Sequence, residues 1–263
     1  MNPSCAVESR SILGMRADAT SYPAASSQVL AWARAGESRY VAVATVNNVM
    51  EAYDSPGFRA IMNAADLVTP DGMPLVWGLR LLGIRTAARV YGPDLTPRLL
   101  EAAARERIPV GFYGATDAVL EKLLRAVRNR YPGLRVAYAW APPFRALSRE
   151  EDVAATTLIN DSGARILFVG LSTPKQERWM AAHRGRVEAV MLGVGAAFDF
   201  LAGTKRQAPR WMMRAGLEWL FRLASEPRRL ARRYLKHNPR FLILFLAQLC
   251  GWREFDESNT RSV

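Results

Sequence analysis

The chain has 263 residues, half of them hydrophobic, and a formal net charge of +12. That length fits one large α/β domain or a domain with an appendage, the apolar half excludes wholesale disorder, and the charge points to an anionic partner: membrane, nucleic acid or a phosphorylated substrate. The two cysteines, Cys5 and Cys250, stand near opposite ends, which argues against a disulfide framework or a thiolate metal site and favours a reducing compartment.

The start shows no basic stretch followed by a long apolar run, so no secretory signal is read there. In chain order, strands are predicted at residues 40–46, 67–68, 110–113, 134–140, 165–170 and 187–194, all rich in Val, Ile, Tyr and Phe and bounded by Gly, Pro or Asp. Between them, helical spacing covers residues 97–107, then 117–131 with Asp117 as a cap and Pro132-Gly133 as a stop, then 149–162 and 175–184. This alternation predicts an α/β fold, a Rossmann-like, mostly parallel sheet with helices on both faces.

In such a sheet ligands sit beyond the carboxyl ends of the strands, and four segments there are polar. Thr45-Val46-Asn47-Asn48 offers hydroxyl and amide groups to a sugar or phosphate, while Asn47 also suits a helix cap. Pro70-Asp71-Gly72 sets a carboxylate after a strand, where it suits general-base work, and the same tripeptide is common in turns. Gly170-Leu171-Ser172-Thr173-Pro174-Lys175-Gln176-Glu177 reads as a capped helix start whose free N–H groups, with Lys175 and Gln176, suit a diphosphate. Gly193-Val194-Gly195 has Phe198 where a dinucleotide loop needs its third glycine, so it reads as a strand-end turn near a nucleotide, with Asp199 facing ribose or base; the turn ending at Gly114 is similar. No Asp-x-Asp pair or phosphate-loop motif occurs, and His183 and His237 are the only histidines. No cofactor and no metal-ligand motif is read from the sequence, which leaves metal assistance open; both histidines read as structural or surface residues, and, if a nucleotide diphosphate binds, Arg89, Lys175 and the tail arginines are the candidates to neutralise it.

Past Gly203 the texture changes. Between Lys205 and Arg240 stand eleven Lys and Arg against Glu218 and Glu226. Residues 211–223 and 226–236 read as basic amphipathic helices, His237-Asn238-Pro239 as a turn, and 241–252 as an apolar stretch too short to cross a membrane. Arg228, Arg229, Arg232 and Arg233 are spaced as one helix face. With Arg214, Arg222 and the interspersed aromatics, this predicts a membrane-docking appendage, residues 205–263, on a catalytic domain of residues 1–204. The apolar stretch favours a membrane over nucleic acid, and the last ten residues read as frayed.

The ordered set Thr45-Val-Asn, Pro70-Asp-Gly, Arg89-Val-Tyr-Gly-Pro-Asp, Phe112-Tyr-Gly-Ala, Phe168-Val-Gly-Leu, Pro174-Lys-Gln-Glu, Gly193-Val-Gly-Ala-Ala-Phe-Asp-Phe, Gln207-Ala-Pro-Arg-Trp, Leu217-Glu-Trp-Leu and Glu226-Pro-Arg-Arg resembles the WecG/TagA/CpsF glycosyltransferase family over about residues 40–245. The resemblance implies an inverting, peripheral enzyme at the cytoplasmic face of the inner membrane, taking a UDP-sugar donor and a polyprenyl-diphosphate-linked sugar acceptor. It implies that Asp71 is the catalytic base, that Thr45 and Asn47 line the pocket, that Arg89 and Gln176 lie near acceptor or diphosphate, and that Asp199 lies by the uridine. A homo-oligomer is implied by the resemblance alone. Ala196 departs from the family's usual glycine and is expected to crowd its loop slightly. Within the family the chain looks most like the xanthan-type exopolysaccharide β-1,4-glucosyltransferases, with glucose from UDP-glucose as the transferred hexose; the alternative is transfer of N-acetylmannosamine or its uronate into a wall or antigen polymer.

Overall fold

A computed structural model describes residues 7–252 and residue 255; Cys5 and the segment 256–263 lie outside them. The six apolar runs form one sheet of parallel strands, in the order β4-β3-β8-β7-β5-β6. They are β3 (Arg39–Ala44), β4 (Leu67–Pro70), β5 (Val110–Gly114), β6 (Val136–Trp140), β7 (Ile166–Gly170) and β8 (Val190–Gly193). The central strands read as unbroken apolar runs because both of their faces are covered. Side chains alternate between two cores: Ile166 and Phe168 of β7 enter one, Leu167 and Val169 the other. One core is closed by α1 (Tyr22–Arg34), α5 (Gly92–Glu106), α6 (Asp117–Arg130) and the short α9 (Ala197–Leu201); the other by α2 (Val46–Asp54), α3 (Pro56–Ala64), α4 (Met73–Leu81), α7 (Arg149–Asp161) and α8 (Lys175–His183).

Several elements differ from the sequence reading. An antiparallel hairpin, β1 (Ser9–Ile12) and β2 (Met15–Asp18), precedes the sheet. Its turn residues Leu13 and Gly14 both have positive φ, as a tight hairpin turn requires. Asn47 caps no helix: Thr45 is the cap of α2 and Asn47 lies inside it. Asp117 is the first helical residue after the Thr116 cap, whose side chain accepts from the Val119 N–H. The α5 helix starts at Gly92, five residues before the predicted start at Pro97.

The tail differs most. The segment predicted as one helix is α10 (Arg210–Arg214) and α11 (Glu218–Ser225), broken where Gly216 takes φ 73° and backs onto Trp77. His237-Asn238-Pro239 makes no turn; it lies inside α12 (Pro227–Leu249). A proline inside a helix loses one ladder bond, and burial of His237, Phe241 and Phe245 around it holds the helix straight through. Phe241 and Phe245 belong to the same core as β1 and α4, and Phe245 seats directly on Gly78. Arg240 pairs with Asp54 at 2.5 Å. Gln248, a lone amide in the apolar stretch, accepts from Leu13 N–H at 2.9 Å and donates to Ser11 C=O at 2.7 Å. Gln248→Ala is expected to leave both backbone groups unsatisfied and to destabilise by ~1–3 kcal/mol, read as a lower Tm; an unchanged Tm rejects the clamp. No helix among the described residues is long and apolar enough to cross a membrane.

Candidate active site

Leaving β5 the chain runs to β6, and leaving β7 it runs the opposite way to β8. Such divergence opens a crevice at the carboxyl edge of the sheet. Two cavities lie along that edge. The larger, about 620 Å³, lies where β5, β7 and β8 end; the other, about 470 Å³, lies where β3 and β4 end and is roofed by α11 and α12.

Asp71 directly follows β4, and its N–H donates to the C=O of Ala44, the last residue of β3, at 2.9 Å, so the backbone ladder extends one residue beyond β4 and fixes the carboxylate at the crest of the sheet. It opens on the smaller cavity with Thr45 and Asn47. Arg89 reaches it from the segment before α5, a segment tied to β4 by Val90 N–H donating to Pro70 C=O at 3.0 Å. The Arg89 Nε donates to the Asp71 carbonyl. Its Nη2 stands 3.4 Å from Asp71 Oδ1 and 2.5 Å from Glu218 Oε2. Tyr91 donates its hydroxyl to Glu218 Oε1 at 2.8 Å, and the Arg89 guanidinium lies over the Tyr91 ring at 4.1 Å.

Burial pushes the Asp71 carboxyl up to about 7, with Glu218 adding to the rise and Arg89 and Arg222 opposing it. A carboxylate poised there is half ionised near neutrality, where a general base works well. Burial works against the charge on Arg89, but Asp71 and Glu218 outweigh it and raise its pKa. The cation expected to meet a diphosphate is thus engaged by two carboxylates. The rest of this cavity is mostly apolar, with Trp77, Leu81, Trp219, Leu242 and Phe245 in its wall.

The larger cavity is cationic at its mouth, with Lys175, Lys205 and Arg229, and also takes Gly170, Ser172, Gly195 and Asp199. Lys205 bridges Asp199 and Glu226, each at 3.5 Å, and Arg229 pairs with Glu226 at 2.6 Å. Its inner wall is aromatic: Tyr113 stacks on Trp179 at 4.3 Å, and Trp179 on His183 at 4.0 Å. His183 is held by Trp179 C=O and Asp152, consistent with a structural role.

The sequence candidates therefore fall into separate groups. Thr45, Asn47, Asp71, Arg89, Arg222 and Arg233 gather at the smaller cavity; Lys175, Gly170, Gly195, Asp199 and Arg229 gather at the larger. Gly114 and Gly193 line neither. A Cβ on Gly114 would stand 2.6 Å from the Gly170 backbone, and one on Gly193 2.7 Å from Met180, so close packing accounts for both. Gln176 is buried, donates to Glu177, and sits outside both cavity walls. Ala196 has ordinary right-handed angles, and its loop carries no backbone strain there. Of the four arginines of α12, Arg228, Arg229 and Arg232 are exposed, as is Arg214; Arg229 also borders the larger cavity, and Arg233 alone turns inward, to the smaller one.

Residues not singled out by sequence complete the site. Glu177, fully buried, accepts on one oxygen from Asn48 at 2.9 Å, Thr173 at 2.9 Å and Gln176 at 3.1 Å. Asn48 in turn accepts from the Thr45 N–H and hydroxyl. This chain of polar contacts runs from Thr45, in the wall of the smaller cavity, to the first turn of α8. Burial raises the Glu177 pKa. The hint for Glu218 was its sign, an acid among eleven tail cations.

A sequence profile of the glycosyl transferase WecG/TagA/CpsF family matches residues 10–254. Among curated proteins, an N-acetylglucosaminyldiphosphoundecaprenol N-acetyl-beta-D-mannosaminyltransferase from Bacillus spizizenii is 32% identical over 185 residues, 69% of each chain. The protein of the same name from Bacillus subtilis is 29% identical over 177 residues, 65% of this chain and 66% of that one.

Proposed function

Because the chain belongs to the WecG/TagA/CpsF glycosyltransferase family, we propose that it transfers an N-acetylmannosamine-type sugar from a UDP donor to N-acetylglucosamine on undecaprenyl diphosphate. The observation that carries the chemistry is Asp71, enclosed at the end of β4 with its pKa raised to about 7. The names of the two Bacillus relatives support the sugar and the acceptor. They favour the N-acetylmannosamine reading over glucose, and neither of them supports the xanthan-type assignment.

In this reading the acceptor sugar enters the smaller cavity and its lipid follows the apolar wall. Asp71 takes the proton from the acceptor hydroxyl. The freed oxygen pair attacks the anomeric carbon of the donor, a new C–O bond forms, and the bond to the UDP oxygen breaks on the opposite face. UDP departs with that electron pair into the larger cavity, where Lys175, Lys205 and Arg229 meet its charge. Arg89 holds Asp71 in place and does not serve chiefly as the diphosphate partner.

The deciding experiment is transfer of radiolabelled sugar from UDP-N-acetylmannosamine, and separately from UDP-glucose, to undecaprenyl-diphosphate-N-acetylglucosamine. Label from the first donor alone supports the proposal. Label from glucose alone restores the exopolysaccharide reading, and label from neither rejects both.

The same reading places the enzyme peripherally on the anionic cytoplasmic face of the inner membrane. Arg228, Arg232, Leu235, Leu242, Ile243 and Leu246 are all exposed on α12. Each basic side chain at such a surface contributes about 1 kcal/mol, so Arg228→Gln/Arg232→Gln is expected to weaken sedimentation with phosphatidylglycerol vesicles by ~30-fold. Equal sedimentation of variant and wild type rejects α12 as the docking element.

A further inference from the structure

We propose that Glu218 is a positioning residue for the transfer reaction: seated on α11, it competes with Asp71 for Arg89 and so joins placement of the tail to readiness of the base. This rests on the reading of Asp71 as general base.

Four observations converge on Glu218. Both of its oxygens are engaged at the site, Oε2 by Arg89 at 2.5 Å and Oε1 by the Tyr91 hydroxyl at 2.8 Å. Arg89 is nearer to Glu218 than to Asp71 Oδ1, which it meets at 3.4 Å. The Glu218 side chain is 13% exposed, no more than Asp71 at 13% and Arg89 at 16%, so the three charges share one enclosed space. The residue also comes from the tail, whereas Asp71, Arg89 and Tyr91 come from the sheet edge. The helix it starts is seated by Gly216, whose αL backbone lies against Trp77 of α4.

The physical consequence follows from counting charges. Two carboxylates share one guanidinium, and the geometry gives the shorter contact to Glu218. Asp71 is left with the weaker part of the pairing and with a like charge nearby. Both effects favour its protonated form and strengthen it as a base once it ionises. With α11 lifted away, Arg89 has only Asp71 to pair with, and the carboxylate becomes a stable ion and a poorer base. An open tail would thus leave the base damped, and a closed tail would ready it. The other groups facing Asp71 are Arg222 of α11, Arg89 and Tyr91 before α5, and Tyr22 of α1. Arg233 of α12 lines the same cavity. None of these but Glu218 is an acid supplied by the tail.

The test is the pH profile of kcat/KM for sugar transfer by wild type, Glu218→Gln, Glu218→Asp and Asp71→Asn, with cleavage of residues 210–226 by trypsin read in parallel. Glutamine keeps the shape and drops the charge, so Arg89 turns to Asp71. The acidic limb of the profile is expected to move down by about one pH unit, with a several-fold loss of kcat above pH 8. Aspartate draws its carboxylate back by one methylene, and the limb should move the same way by less. Cleavage should rise in both variants. A residue that only pinned the helix would change cleavage and leave the limb where it was. An unmoved limb in whichever variant folds overturns the inference, even if turnover falls. If Asp71→Asn itself retains turnover, the base reading has failed and the inference falls with it; if that variant is dead and the limb of Glu218→Gln coincides with wild type, only the inference has failed.

Discussion

Asp71→Asn is expected to lower sugar transfer by about 10²- to 10⁴-fold while raising the Tm of the protein at pH 8. The two effects have one origin. An aspartate in an unfolded chain ionises near pH 4, whereas folded Asp71 does so at about 7 because burial disfavours its charge. Between those values the native state holds a proton that the unfolded state has lost, so stability falls as pH rises from about 4 to about 7, and stays reduced above. Asparagine has no proton to lose. The variant should gain ~1 kcal/mol or more at pH 8, a rise of roughly 2–4 °C in a chain this size, and the gap should close toward pH 4. Thermal denaturation at both pH values, beside the transfer assay, checks the whole statement. A variant that is inactive but less stable than wild type at pH 8 would mean that the loss comes from damage to the fold.

Arg89→Ala should have the largest effect on stability. It takes from the Asp71 and Glu218 carboxylates, each 13% exposed, the guanidinium they share, and leaves only Arg222 as a cation facing them. Removing one partner of a largely enclosed pair costs about 3 kcal/mol or more, or roughly 6–12 °C in Tm. Arg89 also carries the bond to the Asp71 carbonyl and the contact over Tyr91. Lysine would be a poor substitute, since one ammonium on a flexible stem cannot reproduce the planar fork that meets three acceptors. Transfer should fall with stability, and the remaining activity should need higher pH, because Asp71 loses the cation that most favours its ionised form. If Arg89 served a departing diphosphate alone, its removal would depress turnover and leave Tm within a degree or two.

The parts of the fold that could be read in advance are those where local chemistry and tertiary context agree. β3, β5, β7 and β8 announce themselves as apolar runs because the sheet buries them on both sides. Asp71 was visible because Pro-Asp-Gly after a strand suits a turn and a site alike; here it makes no turn but leads from β4 into α4, with Asp71 in the wall of the smaller cavity. The tail misled for the opposite reason. His237-Asn238-Pro239 has the chemistry of a turn, and only the burial of His237 and Phe241 against the body keeps α12 continuous through Pro239. Spacing put Arg228, Arg229, Arg232 and Arg233 on one stripe, and three of them are exposed, but a helix lying along a protein turns one edge of such a stripe inward, and Arg233 went with it. Glu218 and Glu177 were out of reach, since their partners Arg89 and Asn48 lie 129 residues away in each case.

Gln248 clasps the backbone at Leu13 and Ser11 across 235 and 237 residues of chain. Synthesis proceeds from the N-terminus, and earlier segments fold as they emerge, so the hairpin and sheet edge must wait for α12 before this ring can close. Until then Gly78 lacks Phe245, and Asp71 lacks the tail above it. A nascent or prematurely terminated chain accordingly carries Asp71 uncovered and Arg89 unshared. Enclosure of Asp71 thus depends on a contact between segments at opposite ends of the described residues, and a chain truncated before α12 lacks it.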